Sequence, residues 1–515
     1  MTNTLTSEPA SLADTKRVPT LHFAQPHAIE PEFSGVRSEA RRAVLEDKPA
    51  RNPLPTWSPT MGRIVKVARA TMERLKTNLL LGQALMGGKK ATTPVPITTK
   101  ISKVRIPLRA DRILDGMTTD EATGALNAEW VDVVPHKDES KPAERVVLYF
   151  HGGVYIIASR RTHRSITWRL AKYASARVLA VDYRLAPQST FPVALFDALC
   201  TYLYLIDPPE GSGQPKYEPH QISFAGDSAG GGLSVALMLY CRDNGIPMPG
   251  AIGCLSPWLD LTQSFPAWHI NEPYDYLPEG TADPRFMSAT RSQVYIKSND
   301  DITNPYVSPA FAVEDPAKPT PPMIIQVGDA ERVRDDGIVF AENTFRNSRI
   351  HLEVYENMVH VFQLFSVFDS FSRLALKRMG HFLHEQTGKE AWDRPEVKRK
   401  AVRIRHIPGH PIQPLPDALG IIDDGVRLLV QRGIWSPDLD ETSMFVVRKS
   451  GKIVRRGTII EAENADISDI VAEITEELAA AGFGHAESDE NGAADSDAEE
   501  APAPADGGKP GQAAN

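Results

Sequence analysis

At 515 residues the chain exceeds one ordinary domain and can bury a large core, and 42% hydrophobic with 24% charged residues is a globular composition. A net charge of -9 offers no basic surface for nucleic acid, and three cysteines (Cys200, Cys241, Cys254) with no Cys-x-x-Cys pair or histidine cluster exclude a disulfide framework and a structural zinc site. No apolar run reaches the roughly 18 residues of a membrane span, and positions 1–26 lack the apolar core of a secretory leader, so the expected setting is a reducing, cytoplasmic one.

Positions 1–57 mix Ser, Thr, Pro and charges without a period and read as a disordered or extended arm. From 61 to 86, Ile64, Val65, Ala68, Met72, Leu75, Leu79 and Leu80 recur at helical spacing among Lys66, Arg69, Arg74 and Lys76. That pattern predicts a helical segment over 58–99, serving as a lid, as a cover for the core, or as a docking face for a membrane surface. Two β-prone runs, 101–108 and 128–134, predict an antiparallel pair. Buried strands are then expected at 145–150, 177–181, 222–225, 251–255, 323–327 and 351–355, with helices near 164–175, 192–206, 233–240 and 337–346. The alternation implies an α/β domain over 100–385, a mostly parallel sheet with helices on both faces. The long excursion from Ser256 to Pro322 reads as a lid or pocket wall.

One stretch carries chemistry. Gly226-Asp227-Ser228-Ala229-Gly230 joins a predicted strand to a predicted helix, the form of a nucleophile elbow, in which small neighbours let the chain bend sharply under an exposed hydroxyl. The Ala229 amide and the positive end of the new helix would face an oxyanion. The competing reading, a glycine turn with a helix-capping serine, fits the strand and helix context less well. Strand 145–150 runs into His151-Gly152-Gly153-Val154, where absent side chains let the amides of Gly152, Gly153 and Val154 approach a ligand oxygen.

A serine hydroxyl needs an imidazole base, itself oriented by a carboxylate, and the chain order must be serine, acid, histidine. His360 follows the last predicted strand, whereas His163, His220, His269 and His351 occupy helix, loop or strand positions without that geometry. Asp329, Glu331, Asp335 and Asp336 all follow the preceding strand, and their spacing leaves the choice of acid open.

Between about 145 and 384, on HGGV at 151, DYRLAP at 182, GDSAGG at 226, SPWLDL at 256 and NMVHVF at 357, the chain resembles the hormone-sensitive lipase family of α/β-hydrolase esterases. The resemblance implies an α/β-hydrolase fold with an N-terminal helical cap and a triad of Ser228, His360 and Glu331. A glutamate departs from the family's commoner aspartate, which keeps Asp329 as the alternative acid. It maps the oxyanion donors to the amides of Gly153, Val154 and Ala229, with Val154 standing where the family usually has a third glycine. It also implies that Asp182 and Tyr183 brace the site, that no metal or cofactor is needed, and that the substrate is a small ester of short to medium acyl chain or a lipid-like ester.

Beyond 385 the resemblance stops. Positions 386–484 read as an accessory extension containing a basic linker (Lys398, Arg399, Lys400, Arg403, Arg405), a hairpin over 444–460 and a helix over 465–483; 485–515 reads as a disordered acidic tail. The leading expectation is a serine carboxylic ester hydrolase. The alternatives are a non-catalytic small-molecule binding protein on the same fold and a membrane-surface lipid or sterol ester hydrolase docking through helix 61–86. Oligomeric state is not written in the sequence.

Overall fold

A computed structural model describes residues 54–431, apart from positions 55, 77, 89–90, 134–142, 279–293, 389–398 and 406–411, and beyond them the strand pair 445–447 and 453–455. The arm before 54, the helix expected over 465–483 and the acidic tail lie outside the described residues.

The centre is a ten-stranded sheet: β1 (Lys100–Pro107), β2 (Ala125–Asp132), β3 (Val146–Phe150), β4 (Arg177–Asp182), β5 (Ile222–Asp227), β6 (Ala251–Leu255), β7 (Met323–Gly328), β8 (Ile350–Tyr355), β9 (Lys400–Ile404) and β10 (Ile412–Pro414). Its order is β1-β2-β4-β3-β5-β6-β7-β8-β9-β10. From β4 across to β9 all neighbours run parallel, while β1 with β2, β2 with β4, and β9 with β10 are antiparallel. The expected β1/β2 pair forms with Lys100 opposite Asp132.

Strands β3, β5, β6, β7 and β8 are buried along their whole length because helices cover both faces, which is why β3 and β6 read as apolar runs, whereas β8 buries His351 and Glu353 in alternation with apolar residues. On one face, Ile166 and Leu170 of α3 (Arg164–Ala174) and Leu376, Met379 and Leu383 of α8 (Ser370–Gln386) pack on Val147, Tyr149, Val178 and Ala180. Each large aliphatic side chain so buried contributes about 1.5–3 kcal/mol. That sum exceeds the roughly 1 kcal/mol from the Asp369 cap on α8, so packing rather than capping fixes the helix. On the other face α4 (Val193–Ile206) lies beside α5 (Ala229–Asp243), and Tyr202 of α4 meets Phe224 of β5 edge-on at 4.7 Å.

Segment 58–99 is two helices rather than one. Ser58 caps α1 (Pro59–Leu75) by accepting from the Met61 amide at 3.1 Å, and Asn78, in an extended conformation, caps α2 (Leu79–Gly87) by accepting from Leu81 at 2.9 Å. Val65, Leu75, Leu79 and Leu80 face inward as the spacing implied, and Met61 joins them, while Ile64, Ala68 and Met72 of the expected face are half-buried. The helix expected over 337–346 begins earlier, as α7 (Arg334–Val339), and continues as a π turn over Phe340–Thr344.

The basic stretch after Lys398 is not a solvated linker. It contains β9, whose Val402 and Ile404 are buried while Arg403 and Arg405 pair with Asp329 and Glu356. Charge density masked an alternating strand pattern. The extension then gives α9 (Gly420–Gln431), which packs against α6 (Ala267–Ile270), and Phe445–Val447 pairs antiparallel with Ile453–Arg455 as the expected hairpin does.

Candidate active site

Strand β5 ends in a corner at Ser228, whose φ of 52° and ψ of -121° lie outside the regions a non-glycine residue adopts without strain. Three hydrogen bonds hold it there: Ser228 N donates to Leu255 O at 2.9 Å, and Ser228 O accepts from Gly232 N at 3.0 Å and Trp258 N at 2.9 Å. Close passage at the corner requires Gly230, because a Cβ there would lie 2.0 Å from Phe150 O. Helix α5 starts immediately after, so its N-terminus points at the corner.

The loop after β8 brings His360 to this corner, with Nε2 2.9 Å from Ser228 Oγ. The imidazole is buried, its backbone amide donates to Asp275 Oδ1 at 3.3 Å, and the Tyr276 ring lies tilted beside it at 6.1 Å. On the far side of the ring, Nδ1 faces Glu331 Oε2 at 3.7 Å, beyond a formed hydrogen bond but within ion-pair reach once the ring carries a proton. Ser256 Oγ donates to the same Glu331 oxygen at 2.6 Å and accepts from Val361 N at 3.0 Å. Burial pushes the Glu331 carboxyl up to about 7, against the opposing pull of His360 and Ser256.

Of the four acids left open by sequence, only Glu331 meets the imidazole among the described residues. Asp329, the alternative acid, turns to the sheet edge, where Oδ1 accepts from Asn357 N at 2.6 Å and Oδ2 faces Arg403 at 3.3 Å. Asp335 accepts from the Ala267 amide at 2.8 Å, and Asp336 accepts from the amides of Leu259 and Asp260, both at 2.9 Å.

The glycine loop after β3 lies against the same corner. Gly153, Val154 and Tyr155 take successive φ values of 115°, 54° and 62°, and among the described residues the amides of Gly153, Val154 and Ala229 donate to no protein acceptor. Gly152 departs from expectation. Its amide is committed to Asp227 Oδ1 at 3.0 Å, so it does not serve an oxyanion; the position stays glycine because a Cβ would lie 2.3 Å from Asp227 Oδ2.

Beneath the corner, Asp227 also accepts from Tyr149 OH at 2.5 Å and lies 3.1 Å from His163 Nε2. Burial alone would lower the His163 pKa, but the Asp227 charge overrides it and the net shift is upward. For Asp227, burial pulls upward and His163 with its hydrogen bond brings the carboxyl below its ordinary value, so both shifts favour the ionised pair. His151 stacks on Tyr183 at 4.5 Å; burial and the neighbouring His163 push it down to about 3, leaving it neutral. Tyr183 OH holds His151 O at 2.7 Å, and Asp182 pairs with Arg160, both in bracing positions.

Trp57, Arg69 and Thr93, ahead of the sheet in the chain, are tied to loops between its strands. Trp57 Nε1 donates to Asn357 O at 2.5 Å, Arg69 reaches Pro273 O at 2.8 Å and also Asp275 O, and Thr93 N donates to Arg161 O at 3.0 Å. Sequence reasoning missed Ser256, Asp275 and His163. Ser256 carried a signal in the SPWLDL stretch, whereas Asp275 sits in a long irregular segment without one.

A strained hydroxyl at the carboxyl edge of a parallel sheet, met by an imidazole from the loop after β8, is the architecture of the serine hydrolases built on the α/β-hydrolase fold. The family model described as alpha/beta hydrolase fold matches residues 147–364. The chain is 34% identical over 266 residues to an acetyl-hydrolase of Streptomyces hygroscopicus, covering 52% of this chain and 82% of the relative. It is 31% identical over 245 residues to an esterase of Acinetobacter venetianus, covering 47% and 75%. The crystal structure of an esterase/lipase from an uncultured bacterium matches with a TM-score of 0.50 at 27% identity, covering 64% of this chain and 99% of that one. The chain therefore belongs to the α/β-hydrolase fold family, its motifs resembling those of the hormone-sensitive-lipase-like esterases, and is a serine ester hydrolase. No helix among the described residues is long and apolar enough to cross a membrane.

Proposed function

We propose that Ser228, His360 and Glu331 act as nucleophile, base and orienting acid in a two-step acyl transfer on small carboxylic esters. His360 Nε2 takes the hydroxyl proton as Ser228 Oγ bonds to the ester carbonyl carbon. The carbonyl oxygen, now negative, is held by the amides of Gly153, Val154 and Ala229, where loss of one donor costs about 3 kcal/mol in comparable sites. The imidazolium hands its proton to the departing alkoxide, and a water deprotonated by His360 then releases the acid and frees Ser228.

The 2.9 Å contact between Ser228 Oγ and His360 Nε2 carries this reading. Glu331 rather than Asp329 is supported as the acid because Asp329 is already engaged by Asn357 and Arg403. In this reading 58–99 is a cap on a hydrolase domain spanning 100–385, and short acyl groups are favoured, in keeping with the name of the Streptomyces relative. The test is hydrolysis of p-nitrophenyl esters from acetate to palmitate by wild type and Ser228→Ala. Turnover should be highest at the short end and vanish in the variant; a variant as active as wild type removes Ser228 from the reaction.

A second reading adds a surface to the same chemistry. Arg63, Lys66 and Arg74 of α1 are exposed beside Val67, which is 65% exposed, and Leu85 of α2 is 53% exposed. Cationic and apolar groups together suit an anionic lipid surface. Long-chain hydrolysis that appears only with phosphatidylglycerol vesicles, and is lost in Lys66→Glu/Arg74→Glu, supports it.

A further inference from the structure

The segment beyond residue 385 has no counterpart in the matched domain, yet two of its elements connect to the loops that carry Glu331 and His360, β9 directly and α9 through α6. Strand β9 adds in parallel to β8, with Arg403 opposite Val354 and Ile404 opposite Tyr355, and Ile404 O accepts from Glu356 N at 2.9 Å just past the end of β8. From this strand Arg403, nearly buried, reaches Asp329 Oδ2 at 3.3 Å, and the other oxygen of Asp329 accepts from the Asn357 amide at 2.6 Å. Arg405 pairs with Glu356 at 3.0 Å. One carboxylate thus ties the acid loop, two residues before Glu331, to the histidine loop, three residues before His360, and β9 holds that carboxylate.

The second element works from the opposite side. Helix α9 packs so closely on α6 that a Cβ added at Gly425 would lie 3.0 Å from Pro266 Cβ and 3.2 Å from Ile270 Cδ1. Asn271 follows α6 directly, and its Nδ2 donates to Glu331 O at 2.8 Å and Asp329 O at 3.1 Å. Both routes from the extension therefore converge on the backbone that aims the Glu331 carboxylate.

We infer that β9 and α9 are a positioning brace for the acid and histidine loops, with Arg403 its principal contact, acting through Asp329 rather than on substrate; the inference rests on the triad proposed above. An edge cap alone would need only backbone pairing and apolar contacts, which Val402 and Ile404 already supply. Arg399 provides an internal comparison, because it anchors the start of β9 to Glu342 at 2.6 Å and to Ala341 O and Phe345 O, away from both loops.

The test uses the full chain with p-nitrophenyl acetate, measuring kcat, KM and the pH profile of kcat for Arg403→Gln, Arg403→Lys, Asp329→Asn, the Arg403→Gln/Asp329→Asn double variant and Arg399→Gln. Small misplacements of catalytic groups can cost up to about 100-fold in rate. Arg403→Gln should lower kcat by about 10–100-fold with KM changed by less than about threefold, and displace the acidic limb of the profile. The double variant should be no worse than Arg403→Gln, because both break one connection. Arg403→Lys should recover most of the rate, and it carries the test if Arg403→Gln does not fold. Unchanged kcat in Arg403→Gln, or an equal loss in Arg399→Gln, overturns the brace while Ser228→Ala remains inactive; hydrolysis by Ser228→Ala overturns the triad and the brace with it.

Discussion

Ser256 Oγ donates to Glu331 Oε2 at 2.6 Å while accepting from the Val361 amide at 3.0 Å, so one hydroxyl links the acid to the residue that follows His360. This fixes the separation between carboxylate and imidazole more directly than the 3.7 Å contact between them. Ser256→Ala leaves a buried carboxylate oxygen and a backbone amide each short of a partner. A hydrogen bond to a charged group is worth about 1.5–3 kcal/mol, so kcat should fall about 10–100-fold with KM nearly unchanged. Losing the donor also favours the protonated carboxyl, so the acidic limb of the pH–kcat profile should move to higher pH. A profile with the same midpoint as wild type would show that Ser256 does not act on Glu331.

Glu331 sets a second prediction. Its carboxyl is raised to about 7 by burial, and orienting an imidazolium requires the ionised form, so kcat should climb as pH rises through about 7. The stability sign is opposite. A carboxyl raised above its unfolded value stabilises the fold below pH 4.5 and loses that contribution as pH rises through about 7. Glu331→Gln should therefore lose about 10²–10⁴-fold in kcat, yet gain in Tm relative to wild type between pH 5 and pH 8. Melting curves at the two pH values decide it; a Tm gap moving the other way contradicts the assignment.

Much of this site was legible in the chain because its constraints are local. The glycines flanking Ser228 report a corner where backbones nearly touch, and His360 follows from chain order once the strands are counted. The choice between Glu331 and Asp329 was not legible, because the two lie two residues apart on one loop. What favours Glu331 is the engagement of Asp329 by Arg403, 74 residues beyond it, in a stretch whose charges hid a strand. Gly152 was misread as an oxyanion donor for a related reason: the carboxylate that captures its amide comes from Asp227 on a different strand. The break between α1 and α2 turns on the Asn78 cap, a single polar side chain within an otherwise helical period.

The ionised pair beneath the elbow predicts a pH-dependent stability of its own. His163 is raised above 6.5 and so stabilises the fold below pH 6.5, losing that contribution as pH climbs through its folded value. Asp227 is held below 3.8, and its contribution is present above pH 3.8 and lost as pH falls through its lower folded value. Both are ionised near pH 5.5, with Tyr149 OH and the Gly152 amide also facing Asp227 and neutral His151 beside His163. Removing one partner of a buried pair costs about 3–5 kcal/mol, so His163→Gln should lower Tm most near pH 5.5 and progressively less toward pH 9. Differential scanning fluorimetry across that range is the check, and a deficit that grows with pH would sink the ion-pair account.

Arg69 supplies the last prediction. Its Nη2 alone meets Glu272 O at 3.3 Å, Pro273 O at 2.8 Å and Asp275 O, fastening α1 to the segment whose Asp275 carboxylate holds the amides of His360 and Arg332. Arg69→Ala removes this fastening and leaves three carbonyls to find water. The α1–α2 segment should become an early cleavage site in limited proteolysis, and KM for butyrate and longer esters should rise several-fold while kcat changes less. Because a single nitrogen makes all three contacts, an ammonium with three protons can take over part of the work, and Arg69→Lys should restore most of the protease resistance. Wild-type KM and protease resistance in Arg69→Ala would mean that apolar packing by Met61, Val65 and Leu75 alone seats the helix, and that the guanidinium contributes nothing to holding it over the site.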